Sequence, residues 1–188
     1  MNAPTVHDHL LPYVDKLSER LPETVELAVI HCTELPDLAT ARAYGERTLY
    51  ASGTGDSGHY YIDRDGTIWR YVPGVRIAHH VRDHNACSIG IELINRGRYP
   101  HWWHASHQLM TEPYPLPQIV ALKALLTELQ HEFPRLHYIA GHEELDITRV
   151  PAADDPTSTV PRKRDPGPLF PWTKVLAGNR LVRYHISL

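Results

Sequence analysis

Residues 88–94 read Ser-Ile-Gly-Ile-Glu-Leu-Ile, an apolar run that carries one carboxylate. Because side chains alternate between the two faces of a strand, the apolar residues at 89, 91 and 93 would share one face. Gly90 and Glu92 would then lie on the opposite face. A carboxylate inside a buried strand must be paired, neutral or functional, because an isolated buried charge is costly. The small Gly90 beside it would leave room for a ligand or a water molecule.

The elements predicted around this strand alternate between strands and helices. Leu27–Ile30 is short and apolar, as in a strand buried on both faces. The Asp-Gly pair at 65–66 separates two β-rich runs and predicts a hairpin. Apolar residues spaced by three and four from Ile119 to Phe133 predict a helix. The full set is strands at 27–30, 60–62, 67–72, 88–94 and 138–140, and helices at 40–50, 118–133 and 171–176.

This alternation predicts an α/β fold in which one mixed central sheet is flanked by helices. A chain of 188 residues fits a single domain. We assign that domain to residues 26–178, with an N-terminal extension at 1–25 that packs on it and a tail at 179–188. The proline-rich stretches 95–117 and 148–168 are predicted to be long loops.

Composition excludes several classes of protein. The chain has 19 Lys and Arg against 22 Asp and Glu, a net charge of −3, which is too balanced for a nucleic-acid binder that relies on a strong positive field. No apolar run reaches the ~20 residues that span a bilayer. The first twenty residues lack the pattern of a secretory signal, so we expect a cytoplasmic location with Cys32 and Cys87 as free thiols.

Histidine is the unusual residue, with 14 copies against two cysteines. Two cysteines exclude a zinc site built from three or four thiolates of one chain, but imidazole and carboxylate ligands remain open. His31 ends a predicted strand, His142 follows another, and strand ends in α/β sheets are where sites assemble. Taken singly, each histidine is more often a hydrogen-bonded structural residue, and Glu92 could equally be the buried partner of an arginine.

Four strings occur in a characteristic order, and the hairpin at 60–72 and Ile77-Ala78-His79-His80 fit the same template. The strings are Val29-Ile30-His31, Ser88-Ile89-Gly90-Ile91-Glu92-Leu93, Ala140-Gly141-His142 and Arg162-Lys163-Arg164-Asp165-Pro166-Gly167-Pro168. Together they resemble the type 2 N-acetylmuramoyl-L-alanine amidases. This family includes the AmpD-type recycling enzymes, phage endolysins and the peptidoglycan recognition proteins. The resemblance covers residues 26–176 and implies the amidase and recognition-protein fold.

The resemblance implies a role for each residue of a zinc site. His31, His142 and Asp165 would be the zinc ligands, and Glu92 would match the family's general base. Lys163 would match the lysine that stabilises the developing oxyanion. Two imidazoles and one carboxylate would leave the fourth zinc position open, as catalysis requires. The implied reaction is hydrolysis of the amide between N-acetylmuramic acid and L-alanine, in peptidoglycan or its muropeptide fragments. We expect the protein to be a monomer.

Other residues are secondary candidates. His79, and with less support His59, would contact substrate, although His59 could instead make a structural hydrogen bond. Trp102 and Trp103 could stack on sugar rings or anchor their loop.

The chain also departs from the family pattern. The spacing of 23 positions from His142 to Asp165 is longer than expected, because of an insertion at 147–160. Asp146, Asp154 and Asp155 lie in or beside that insertion as rival carboxylates, but only Asp165 stands in a Lys-x-Asp-Pro-Gly setting.

Two other functions stay open. A non-catalytic peptidoglycan-binding module could share this fold, although no ligand of the implied zinc site is missing. An unrelated zinc peptidase is disfavoured by the absence of a His-Glu-x-x-His helix.

Overall fold

A computed structural model describes residues 3–184. Its strands are β1 (Val6–Asp8), β2 (Leu27–Cys32), β3 (Tyr60–Ile62), β4 (Ile68–Arg70), β5 (Ser88–Leu93), β6 (Tyr138–Gly141), β7 (Arg149–Pro151), β8 (Thr159–Pro161) and β9 (Val182–Arg183). The α-helices are α1 (Leu38–Gly45), α2 (Leu116–Glu132), α3 (His142–Leu145) and α4 (Trp172–Leu176). Short 3-10 helices cover Val14–Lys16, Pro22–Thr24, Asn85–Cys87 and Ala105–His107.

Seven strands form one mixed sheet in the order β1-β4-β3-β5-β2-β6-β9. The strand at 88–93 lies near its centre, parallel to β2 on one side and to β3 on the other. β3 and β4 form the predicted antiparallel hairpin. Its turn requires Gly66, which has φ +92 and lies so close to Pro117 that an added Cβ would be 2.9 Å from the Pro117 carbonyl oxygen. The predicted α/β fold with a mixed central sheet is confirmed.

The two faces of the sheet are covered by different parts of the chain. The predicted apolar stripe of α2 is buried against the face that carries positions 89, 91 and 93 of β5. The opposite face packs against apolar residues that come before β2, including Leu11, Tyr13 and Leu17, together with Tyr61 and Tyr71. Residues 3–25 therefore contribute both an edge strand and core side chains.

Several elements differ from the sequence prediction. Helix α1 begins at Leu38, where Asp37 accepts a hydrogen bond from the backbone N–H of Thr40, and it ends at Gly45 rather than near position 50. Residues 182–183, assigned to a tail, instead pair with β6 as an edge strand. The last four tail residues lie outside the described part of the chain. The predicted loop at 148–168 contains the β7–β8 hairpin.

Among the residues described, no helix has both the length and the apolar character needed to cross a bilayer. Cys32 and Cys87 are both free thiols, and Cys32 is buried.

Candidate metal centre and active site

The candidate site lies at the edge where β2, β5 and β6 end. These strands are parallel, so their carboxyl ends meet at the same side of the sheet. His31 of β2 is in register with Glu92 of β5. Ile30 is in register with Gly141, and His142 follows directly as the first residue of α3. The register alone therefore brings His31, Glu92 and His142 to one edge.

Asp165 completes a compact cluster with the two histidines. Its Oδ2 lies 2.9 Å from Nδ1 of His31 and 3.1 Å from Nδ1 of His142. The two imidazole rings meet edge to face with centroids 4.5 Å apart. All three side chains are buried, and their three ligand atoms lie within 4.8 Å of one another.

The chemistry of this donor set fits a metal ion. Burial, together with the neighbouring His142, lowers the pKa of His31 to about 4, so its imidazole is neutral and can act as a ligand. Burial opposes ionisation of Asp165, but the two histidines hold its pKa well below the ordinary value. Its Oδ1 is buried and has no hydrogen-bond partner among residues 3–184. Two imidazoles and one carboxylate open to a cavity are the ligand pattern of a catalytic zinc site.

Two sets of contacts hold the loop that carries Asp165. The backbone N–H of Glu143 donates to the Asp165 carbonyl oxygen at 2.9 Å, which ties this loop to α3. Arg98 is buried and pairs with Glu34 at 2.7 Å from Nε to Oε1. The same guanidinium donates to the carbonyl oxygen of Pro161 at 2.9 Å. Arg98 therefore joins the segment after β2 to the segment that leads into Asp165.

The rival carboxylates are engaged elsewhere. Asp146 pairs with Arg162 and accepts from the backbone of Thr148. Asp154 accepts a hydrogen bond from the backbone N–H of Ala105, and Asp155 accepts bonds within its own turn. Asp165 alone among these four joins the histidine pair.

Glu92 lies next to this cluster, with Oε1 3.9 Å from Nδ1 of His31. Burial, followed by the charge of Asp165, raises the pKa of Glu92 to about 8, although Lys163 partly opposes this rise. A carboxyl group with a pKa near neutrality is suited to taking up and returning a proton. Lys163 also lines the cavity, so one cation and one proton acceptor face the same space.

An open cavity of about 490 Å³ leads to the cluster. Its wall includes His79, Arg82, Trp103 and Arg162. The 147–160 insertion supports one side of this wall, because the backbone N–H of Ala153 donates to the Trp103 carbonyl oxygen at 2.7 Å. The insertion therefore braces the tryptophan loop.

The two tryptophans have different surroundings. The indole N–H of Trp102 donates to the carbonyl oxygen of Glu34 at 3.0 Å, which fits the anchoring alternative. Trp103 is 51% exposed, so its ring is free to meet a ligand in the cavity.

The placement of His59 argues against direct substrate contact. His59 is completely buried and is not part of the cavity wall. Its Nδ1 accepts from the backbone N–H of Gly90 at 3.0 Å, and its Nε2 lies 3.0 Å from the Arg76 carbonyl oxygen. The structural hydrogen bond is therefore the better interpretation of this residue, whereas His79 stays a candidate for substrate contact.

Sequence reasoning missed the residues that support the site. The Glu34–Arg98 pair has no local sequence signal, because its members are 64 positions apart. The space expected beside Gly90 is filled by the ring of His80, since a Cβ on Gly90 would lie 2.5 Å from Cγ of His80. A glycine in a central strand is a known signal for such a close approach.

The family model described as N-acetylmuramoyl-L-alanine amidase matches residues 21–168. The chain belongs to this family, which the fold and the histidine-carboxylate cluster also fit. A comparison with the sequences of curated proteins found no significant match.

Solved structures of similar fold include bacterial and animal proteins. The amidase LysC from Clostridium intestinale has a TM-score of 0.67 at 19% identity, over 95% of this chain and 99% of that one. The amidase AmiD from E. coli, solved with the substrate anhydro-N-acetylmuramic acid-L-Ala-D-gamma-Glu-L-Lys, has a TM-score of 0.63 at 25% identity, over 85% and 59%. Drosophila PGRP-LB has a TM-score of 0.62 at 18% identity, over 96% and 98%.

Proposed function

We propose that this protein is a zinc-dependent amidase that hydrolyses the bond between N-acetylmuramic acid and L-alanine in peptidoglycan or its fragments. The observation that carries the proposal is the buried cluster of His31, His142 and Asp165, with Glu92 beside it, in a chain of the amidase family. The substrate in the AmiD structure likewise joins anhydro-N-acetylmuramic acid to L-alanine.

His31, His142 and Asp165 would hold the zinc ion. When bound, zinc supplies a Lewis acid that polarises the scissile carbonyl and acidifies a water molecule. The protein's own contribution is to hold three donors rigidly at a buried sheet edge whose remaining side is open to the cavity.

Glu92 would act as the general base and then as the general acid. Its carboxylate takes a proton from the attacking water and returns it to the leaving amine of L-alanine. Its raised pKa favours the second step, because the protonated carboxyl is stable near neutral pH. Lys163 would stabilise the negative charge that develops on the carbonyl oxygen, and His79 would contact the substrate from the cavity wall.

A product assay tests this proposal. The purified protein is incubated separately with intact sacculi and with soluble anhydromuropeptides, with and without a zinc chelator, and released stem peptides are identified by mass spectrometry. We expect peptides with a free L-alanine amine, lost on chelation and restored by zinc. Preference for soluble fragments would indicate a recycling role, and preference for sacculi a lytic one.

Three results would contradict the proposal. The first is binding of muropeptides without any peptide release, which would indicate a non-catalytic recognition module. The second is cleavage of peptides that lack muramic acid, which would indicate a peptidase. The third is full activity in protein that contains no zinc.

A further inference from the structure

A chain of polar groups, in which Ser88 is buried and His80 is half-buried, starts at Nε2 of His31, the ring nitrogen opposite the one that faces Asp165. Nε2 of His31 lies 3.0 Å from Nδ1 of His80, and Nε2 of His80 lies 3.3 Å from Oγ of Ser88. The Ser88 hydroxyl donates to the carbonyl oxygen of His84 at 2.7 Å. Three side chains and one carbonyl group therefore form a continuous relay that ends at a candidate metal ligand.

The carbonyl group of His84, at the end of the relay, determines which group donates in each of its hydrogen bonds. A carbonyl oxygen can only accept, so the single hydroxyl proton of Ser88 is committed to His84. The Ser88 oxygen must then accept a proton from Nε2–H of His80. Since a neutral imidazole carries one N–H, Nδ1 of His80 is left as an acceptor, and it takes Nε2–H of His31.

This direction has a consequence for the opposite nitrogen of His31. With its proton on Nε2, the neutral ring would present the lone pair of Nδ1 to a metal ion held between His31 and Asp165, whose Oδ2 lies 2.9 Å from Nδ1. The reversed relay would place a proton on Nδ1, where a metal ion should bind. It would also leave two lone pairs facing each other between His80 and Ser88.

The surroundings hold His80 in place for this task. Asn85 accepts hydrogen bonds from the backbone N–H groups of His80 and Val81 through one oxygen, each at 2.9 Å. The imidazole of His80 rests on Gly90, where no Cβ could fit. The hydrogen bonds to Asn85 therefore hold the backbone of His80, and the contact with Gly90 holds its ring.

We propose that His80 and Ser88 are positioning residues that set the tautomer and orientation of His31 for metal binding through Nδ1. The proposal rests on the zinc site proposed above and assigns a role to two residues outside the set of metal ligands, of which His80 also lines the cavity. Hydrogen bonds from outer groups to a metal-bound histidine commonly contribute 10- to 100-fold to metal affinity.

Zinc affinity, measured by competition with a chromogenic chelator, tests the proposal without relying on turnover. We expect His80→Phe, which keeps a ring but has no acceptor, to weaken zinc binding by roughly 10- to 100-fold. Ser88→Ala should weaken zinc binding less, because His80 stays in place and only the preference for a proton on its Nε2 is lost. His80→Asn, whose amide oxygen can take the place of Nδ1, should restore most of the affinity.

Thr54→Val is the matched control, because it also removes a buried hydroxyl group but lies outside the relay and the cavity wall. Thermal unfolding of the metal-free variants confirms that each one is folded. In the zinc-loaded protein, ¹⁵N NMR of the histidine rings should show His31 protonated at Nε2.

The outcomes separate this proposal from the proposed function. Folded His80→Phe and Ser88→Ala variants that bind zinc as tightly as the wild type would overturn the relay and leave the amidase intact. A signal from His31 protonated at Nδ1 would overturn it as well. A wild-type protein that binds no zinc would overturn both proposals.

Discussion

Glu92 and His31 face each other across two parallel strands, with Oε1 of Glu92 3.9 Å from Nδ1 of His31. The sheet therefore fixes the distance between the proposed proton carrier and the proposed metal site. Under the proposed mechanism, the residue that moves the proton is distinct from the residues that hold the metal. Mutations at the two positions should then have different effects.

Replacing Glu92 with glutamine should abolish proton transfer but keep the metal. The amide has nearly the same shape and cannot act as a base, so we expect kcat to fall by roughly 10²- to 10⁴-fold. Zinc content, measured by atomic absorption, should stay at the wild-type level. Full turnover by this variant would show that Glu92 is not the general base.

Zinc should stabilise the fold, and this stabilisation should require Asp165. At a zinc concentration of 100 times Kd, binding adds about 2.7 kcal/mol to the free energy of unfolding. For a protein of this size, this corresponds to a rise in Tm of roughly 5–10 °C. Asp165→Ala should lose most of the rise in a thermal scan with and without zinc. An equal rise in the variant would mean that the stabilising zinc binds elsewhere.

The buried Arg98–Glu34 pair should be a major source of stability, in contrast to an exposed pair. Arg98→Met leaves the Glu34 carboxylate buried without its partner and should lower the free energy of unfolding by about 3–5 kcal/mol. Arg70→Met, which breaks the exposed pair with Asp8, should cost only about 0–1 kcal/mol. Urea unfolding measures both, and equal costs would contradict this ranking.

His59 should make the protein less stable as the pH falls. Burial, followed by the charge of Arg20, holds the pKa of His59 well below its ordinary value of 6.5. Below pH 6.5 the unfolded chain binds a proton that the folded chain does not bind, so the free energy of unfolding decreases as the pH falls. One such group contributes at most about 1.4 kcal/mol per pH unit.

The variant His59→Asn should reduce this dependence. Its amide oxygen can still accept from Gly90, so we expect a folded protein with a smaller loss of stability between pH 6 and pH 5. Urea unfolding of chelator-treated protein at each pH provides the measurement, and the exposed His137→Asn is the matched control. An unchanged slope in His59→Asn would show that His59 is not the group responsible.

The central sheet could be predicted from sequence because its signals are local. The apolar run at 88–94 and the apolar stripe from Ile119 to Phe133 each predict burial from their own spacing, and the structure confirms both. The edge strands at 6–8 and 182–183 were missed, because two or three residues carry no periodicity.

The elements that surround the site were less accessible to sequence reasoning. The motif order identified His31, His142 and Asp165, and the structure brings these residues together. No local pattern could reveal that His80 fills the space beside Gly90. His59 was a candidate for substrate contact, yet its structural role became clear only from the two backbone groups that it contacts.

The cluster of His31 and Asp165 joins two points that are 134 positions apart in the chain. A metal ion held between them would act as a removable cross-link that joins the loop carrying Asp165 to the sheet. The segment between His142 and Asp165, with its inserted hairpin, would then be pinned at both ends by the same ion. Metal loading would thus govern how readily this segment opens to proteases, in addition to any part it plays in chemistry.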